Sequence, residues 1–156
     1  METLPRDEVM VRNLRPSDFD AVVLIDQRSR GRRREEFYKV KLRQALSDTG
    51  IVVSLAAEVD GALAGFLLAR VYYGEFGETE RVAVMDAVGV HPDFRNRGIG
   101  AALLDQLRMN LDGLGIRSLQ TQVNWGDSDL MAFFKKQGFG IAQRLCLELD
   151  LDKARP

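Results

Sequence analysis

The chain has 156 residues, enough for one domain with a real hydrophobic core and too few for two ordinary ones. Apolar residues make up 46% and charged residues 29%, and the formal net charge is -1, so no whole-chain field points to nucleic acid or an anionic membrane. The single cysteine, Cys146, excludes an internal disulfide and a thiolate zinc site, and fits a reducing compartment.

The first nine residues carry Glu2, Pro5, Arg6, Asp7 and Glu8 and lack the apolar centre of a signal peptide. No apolar run approaches the ~18 residues of a membrane helix. The expectation is a cytoplasmic protein of one domain, residues 1–156. Residues 9–14 alternate weakly and read as a first strand. Pro16 and Ser17 open a helix with Phe19, Val22 and Val23 at helical spacing. A second helix is predicted over 32–48, with Tyr38, Leu42, Ala45 and Leu46 on one side and Gly50 at its end. Two apolar runs, 51–59 and 62–73, flank Asp60-Gly61, a tight-turn signal, and read as central strands. A polar, acidic loop over 74–80 leads to a third run, 81–90.

The clearest helix is 98–112, with Ile99, Leu103, Leu107 and Leu111 spaced by four and Gly113 and Gly115 as its stop. A strand over 118–123, a helix capped by Asp127 or Ser128 and running to 137, and a last strand over 145–151 complete the chain. The order β-α-α-β-β-β-α-β-α-β predicts an α/β sandwich with a mixed sheet.

The chemistry concentrates in Val88-Gly89-Val90-His91-Pro92-Asp93-Phe94-Arg95-Asn96-Arg97-Gly98-Ile99-Gly100-Ala101. Pro92 ends a strand by withholding its N–H. Gly98 and Gly100 strip side chains from the point where a loop becomes a helix. Bare amides then stand beside the positive end of a helix dipole, with Arg95 and Arg97 at the rim, and a diphosphate suits such a place. Neither G-x-x-x-x-G-K-[ST] nor G-x-G-x-x-G after a first strand occurs.

This run resembles the acyl-CoA signature of GNAT acetyltransferases, Arg/Gln-x-x-Gly-x-Gly/Ala, as Arg95-x-x-Gly98-x-Gly100. The approach over 88–90 and the His91-Pro92 that follows are typical of that family. A second match is Phe133-Phe134-Lys135-Lys136-Gln137-Gly138-Phe139, against the family's aromatic-Tyr-x-x-x-Gly-Phe. The resemblance implies a single-domain, three-layer α/β sandwich with a mixed, mostly antiparallel central sheet. It implies an acetyl-CoA-dependent N-acetyltransferase that needs no metal. Val88, Gly89, Val90, Arg95, Asn96, Arg97, Gly98, Ile99, Gly100 and Ala101 become the cofactor-binding residues, the loop holding the pyrophosphate and the strand pairing with pantetheine. Two positions depart from the family. Its tyrosine acid is Phe134 here. The asparagine seven residues earlier is Asp127, with Asn124 the nearest asparagine. Asn124, Asp127 and Phe134 remain cofactor-side candidates.

An amine with pKa near ~10.4 must lose a proton before it attacks a thioester. Regular alternation along 81–90 puts Asp86 on one face with Val84, Val88 and Val90, where loss of water would make its carboxylate a base. A structural Asp bonded to backbone N–H groups is the competing reading. Glu80 and Glu78 in the acidic loop are alternative bases. Tyr72, Tyr73, Ser128 or water could supply the acid. His91 reads as local structure, Cys146 as a small core residue, and Trp125 as a wall of the cofactor cleft or a plug of the core. Arg28, Arg30, Arg32, Arg33 and Arg34 form a charge cluster that Glu35 and Glu36 follow at once, a solvated helix start rather than a nucleic-acid surface. The acceptor class stays open among small-molecule and peptide amines, and the short stretch after Phe139 points to a homodimer. A non-catalytic acyl-CoA sensor is the alternative to an enzyme.

Overall fold

Asp60 and Gly61 adopt φ of 51° and 79°, the left-handed pair of a two-residue hairpin turn. In the computed structural model, which describes residues 5, 8–74, 77 and 79–153, this turn joins β2 (Leu55–Val59) to β3 (Ala62–Tyr73). β4 (Arg81–Val90) returns alongside β3, and Gly74 N–H donates to Glu80 C=O at 2.9 Å where the connection closes. β1 (Met10–Asn13) pairs with β2, and β5 (Leu119–Thr121) with β4. The sheet order is β1-β2-β3-β4-β5, antiparallel except for the parallel β4–β5 pair. Among the described residues, contacts divide the chain into two units, Met1–Gln122 and Val123–Pro156.

The first unit has three layers. Helices α1 (Phe19–Arg30) and α2 (Glu35–Leu46) cover one face of the sheet. Val22, Val23, Ile25, Tyr38, Leu42 and Ala45 pack there with Ala56, Phe66 and Leu68. α3 (Ile99–Gly113) covers the other face with Ile99, Leu103, Leu104 and Leu107, each 0–1% exposed. Gly65 lets this helix close in, because a Cβ there would lie 2.7 Å from Ile99 Cγ2. β3 outruns β2, and the buried Ser54 Oγ bonds both the N–H and the C=O of Ala69 at 3.0 Å. The predicted helix over 32–48 shortens to α2, and a single 3-10 turn, Pro16–Asp18, precedes α1.

Part-buried ion pairs fix the entry and exit of α1. Arg12 on β1 holds Asp18 through two bonds of 2.8 Å and Glu58 through one of 2.7 Å. Asp26 takes Arg34 Nε and Nη2 at 2.8 and 2.6 Å and Tyr38 Oη at 2.8 Å, with Arg30 Nε at 3.2 Å. Burial alone raises the Asp26 pKa, but the bonds from Arg34 and Tyr38 and the charges of Arg34 and Arg30 outweigh it and hold the carboxyl below its ordinary value. Burial and the neighbouring Asp26 push the Tyr38 hydroxyl well above the usual tyrosine range.

The second unit contains α4 (Ser128–Lys136). Asp127 Oδ1 caps it by accepting from Leu130 N–H at 3.2 Å. The Phe134 ring is 4% exposed and lies 5.4 Å from the Phe133 ring and 5.0 Å from the Phe139 ring. The last strand expected over 145–151 is absent, which corrects the element order. Residues 140–150 form neither helix nor strand. Alternation marks a segment able to pair, whereas a strand exists only where a neighbour takes its N–H and C=O groups. Cys146 is exposed there rather than in a core, and Trp125, 102% exposed, plugs none either.

Candidate active site

Hydrogen-bond parity along β4 defines the centre of the site. Near its start, Ala83 N–H donates to Ser118 C=O at 3.0 Å and Met85 C=O accepts from Thr121 Oγ1 at 2.9 Å, so residues 83 and 85 turn their polar groups toward β5. Beyond its end, His91 N–H donates to Ala64 C=O at 2.8 Å, toward β3. Counting back from His91 by twos, Gly89 also faces β3, and Val88 and Val90 face away. Residues 85 and 88 can share an edge only if the strand gains a residue between them. The register shows it: Leu68 pairs with Ala87 and Ala69 with Met85, leaving Asp86 as the bulged residue. β5 last pairs at Met85. The Val88 and Val90 amides therefore lie on a stretch of strand edge that no β5 residue pairs with. Ser29 Oγ reaches the Val90 C=O at 3.3 Å.

The bulge also changes faces. Cross-strand partners share a face, so Val84 lies with Arg70, and Ala87 with Leu68, on the α1–α2 side. Val88 lies with Leu67 and Val90 with Gly65 on the α3 side. The expectation that Asp86 shares one face with Val84, Val88 and Val90 is corrected, because it assumed unbroken alternation. Asp86 belongs with Val84. Its Oδ2 accepts from Arg70 Nε at 3.1 Å and its Oδ1 lies 3.7 Å from Lys41 Nζ, with 15% of the side chain exposed. A carboxylate bordered only by valines is not what the fold builds. The sequence reading missed Arg70 and Lys41. A lone arginine inside the apolar run of β3 was the available signal.

After β4 the chain makes a 3-10 turn, Pro92–Phe94, capped by His91 Nδ1, which accepts from Asp93 N–H at 3.1 Å. The other ring nitrogen lies 3.1 Å from Arg28 Nη1. Asn96 and Gly98 then take left-handed φ of 61° and 85° and curl the loop into α3. Gly98 fits because a Cβ is strained at that φ. Ala102 N–H makes the first helical bond, to Gly98 C=O at 3.0 Å, and no side chain caps the helix. The amides of Ile99, Gly100 and Ala101 are thus the orphan donors of the first turn. Gly98, Gly100 and this row of amides stand one short loop away from the unpaired edge at Val88 and Val90, with the geometry that suits an anion. Arg95 is exposed beside it, and Arg97 lies 5.9 Å from the Phe94 ring.

Glu80 lies elsewhere. It is exposed at the start of β4, eight residues before Val88, or roughly 20–26 Å at strand spacing. The structure does not bring it to the loop before α3, while Asp86 is two residues from Val88. Glu78 lies outside the described residues. Tyr72 sits under the Arg70 guanidinium at 5.7 Å, and Tyr73 is 75% exposed. Asn124, Asp127 and Phe134 belong to the second unit, where Asp127 is a helix cap and Phe134 a buried ring. Most of the arginine cluster is tied internally: Arg28 to His91, Arg30 and Arg34 to Asp26, Arg33 to Gln27 and Glu35.

The β4 edge beyond Met85, which β5 does not pair, leads through a glycine loop into a helix start that no side chain caps. Residues 11–139 match the acetyltransferase (GNAT) family, and the chain belongs to it. Its fold is shared by the aminoglycoside N-acetyltransferase AAC(6')-Iy in complex with CoA, at TM-score 0.74 and 16% identity over 92% of this chain and 95% of that one. Ribosomal-protein-alanine N-acetyltransferase from Brucella melitensis biovar Abortus 2308 matches at TM-score 0.71 and 21% identity over 92% and 99%. A transcriptional regulator from Bacillus halodurans C-125 matches at TM-score 0.74 and 18% identity over 92% and 99%. These neighbours agree with the predicted mixed, mostly antiparallel sandwich. Among the described residues, no helix is long and apolar enough to cross a membrane, and no group of three His, Cys, Asp or Glu side chains is arranged to hold a metal ion.

Proposed function

We propose that the chain, working as one domain in a reducing cytoplasm, moves the acetyl group of acetyl-CoA to a primary amine by direct attack on the thioester. The observation that carries this reading is the edge parity of β4. The bulge at Asp86 turns the Val88 N–H outward just where β5 has ended, one loop before the orphan amides of α3. The amides of residues 98–101 would take the pyrophosphate, with Arg95 and Arg97 adding charge. The Val88 N–H would donate to the thioester carbonyl oxygen and stabilise the negative charge that develops there. The amine nitrogen bonds to the carbonyl carbon, the C–S bond breaks, and the sulfur leaves as the CoA thiolate. Asp86 would take the amine proton through water. A thiol pKa near ~8.5 makes the thiolate a tolerable leaving group without a tyrosine at Phe134.

The test is a screen of amine acceptors that reports free CoA, run beside a thermal melt with acetyl-CoA. Stabilisation together with turnover on at least one amine supports the enzyme. A melt unmoved by millimolar acetyl-CoA and CoA overturns the cofactor assignment. The missing hydroxyl at Phe134 favours one second reading, a non-catalytic acyl-CoA sensor, which tight binding without turnover on any amine would support.

A further inference from the structure

Arg70 on β3, Lys41 on α2 and Asp86 on β4 meet on the α1–α2 side of the sheet. Two cations share one carboxylate there, so this trio carries one positive charge in excess. Its hydrogen bonding is open as well. Arg70 uses Nε on Asp86 at 3.1 Å, and among the described residues no group bonds its Nη1 or Nη2. Lys41 Nζ, 3.7 Å from Asp86 Oδ1, stands beyond hydrogen-bond length and has no other polar partner among the described residues.

The structural ion pairs of the same fold are built differently. Arg12 bonds Asp18 twice and Glu58 once, and Arg34 bonds Asp26 twice and Tyr38 once, with side chains 16% and 20% exposed. Arg70 is 44% exposed and keeps the end of its fork free. The Tyr72 ring lies 5.7 Å from the Arg70 guanidinium carbon and the Phe37 ring 5.9 Å from Lys41 Nζ, so each cationic head rests beside an aromatic wall. Asp86 is two residues from Val88, roughly 6–7 Å along a strand, which is a few bonds of a small molecule.

We propose that Arg70 and Lys41 are the subsite for a carboxylate on the amine acceptor, so that the acceptor belongs to the amino-acid class rather than to the polycations. This rests on acetyl transfer at the Val88 edge. Arg70 Nη1 and Nη2 donate to the two carboxylate oxygens while Nε keeps Asp86, and Lys41 Nζ adds a second charge-assisted bond. The amine end then lies toward Asp86 and the Val88 edge, so each end of a zwitterion meets a group of opposite charge. A polyamine or an aminoglycoside brings several positive charges to a place that is already positive, and like charges at close range repel.

The test uses the full chain with acetyl-CoA and reads free CoA on matched acceptors. One series pairs free amino acids with their carboxamides. The other pairs short peptides whose second residue is Glu or Gln, and spermidine is the polycationic control. KM should be lower for the acid than for its amide by about tenfold, the discrimination of one charge-assisted hydrogen bond, in at least one series. The series that shows it tells a free amino acid from an acidic peptide terminus. Arg70→Gln and Lys41→Gln should each raise KM for the acid and shrink that preference, and comparing variant with wild type cancels the difference in amine pKa within a pair. Equal KM within both series, a lower KM for spermidine than for any acid, or variants that slow acid and amide alike would overturn the proposal and leave acetyl transfer standing. A wild type whose melt ignores acetyl-CoA, or which releases no CoA on any amine, overturns both.

Discussion

Arg70 Nε donates to Asp86 Oδ2 at 3.1 Å across the β3–β4 pair, while Lys41 Nζ from α2 stands 3.7 Å from Oδ1. The bulge that turns the Val88 amide to the open edge thus also aims the Asp86 carboxylate at the helix pair on the opposite face from Val88. A proton taken by Asp86 must therefore pass by water around the strand, past two cations that hold the carboxylate in place.

Asp86→Asn preserves shape and removes the carboxylate proposed as the base. Acetyl transfer should fall by the ~10²–10⁴ that general base catalysis contributes, with CoA affinity nearly unchanged. The loss should shrink at high pH, where more of the acceptor amine is already neutral. Steady-state rates across pH 6–10 check this. A small, pH-independent loss would make Asp86 an anchor for Arg70 and Lys41 instead.

Acetyl-CoA at ~100 times its dissociation constant should stabilise the fold by about 2.7 kcal/mol, read from a thermal melt. Gly98→Ala puts a Cβ at φ 85°, which costs roughly 1–2 kcal/mol, and crowds the amides that would meet the pyrophosphate. Its melt should start lower and respond less to acetyl-CoA. A full ligand shift in the variant would place the pyrophosphate elsewhere.

β3 and β4 were legible in the sequence to the residue, because Asp60-Gly61 and the acidic loop before Arg81 punctuate them. Gly98 was legible as the point where a loop becomes a helix, and the structure adds the left-handed φ of 85° that the sequence did not show. The face of Asp86 was not. A bulge is one extra residue in a run of otherwise strand-forming residues, and nothing in Val82–Val90 marks which one is extra. Arg70 and Lys41 reach Asp86 from elements distant in sequence, so no local pattern joins them. The strand expected over 145–151 is absent because it was read from alternation alone, whereas pairing is a property of two segments, and the second is not in the pattern.

Asp26 predicts an acid limb of stability. Its folded pKa is depressed, so its contribution is full above the unfolded value near ~3.9 and is lost as pH falls through the folded value. Asp18, held by Arg12, acts in the same direction. Urea unfolding between pH 7 and pH 2 should show stability falling below about pH 4. Asp26→Asn should cost about 2–3 kcal/mol at pH 7, under the ~3–5 of a fully buried broken pair because Arg34 keeps some access to water. It should also flatten the acid limb. An unchanged limb in the variant would assign the effect to Asp18 or to other carboxylates.

Phe134→Tyr restores the hydroxyl that the family places at this position. The ring is 4% exposed between Phe133 and Phe139, so a hydroxyl without a partner would cost roughly 1–3 kcal/mol of stability. The expected pattern is a lower melting temperature and turnover at or mildly above the wild-type rate. The rate should move little because a thiolate of pKa near ~8.5 leaves without help at neutral pH. Melts with and without CoA, together with kcat on whichever amine the screen identifies, decide the matter. An increase in kcat beyond about tenfold, equivalent to about 1.4 kcal/mol of transition-state stabilisation, would show that protonation of the departing thiolate limits the wild type. An unchanged melting temperature would mean that the hydroxyl finds a partner beside the ring, and unchanged kcat would mean that the second family motif serves packing in this chain.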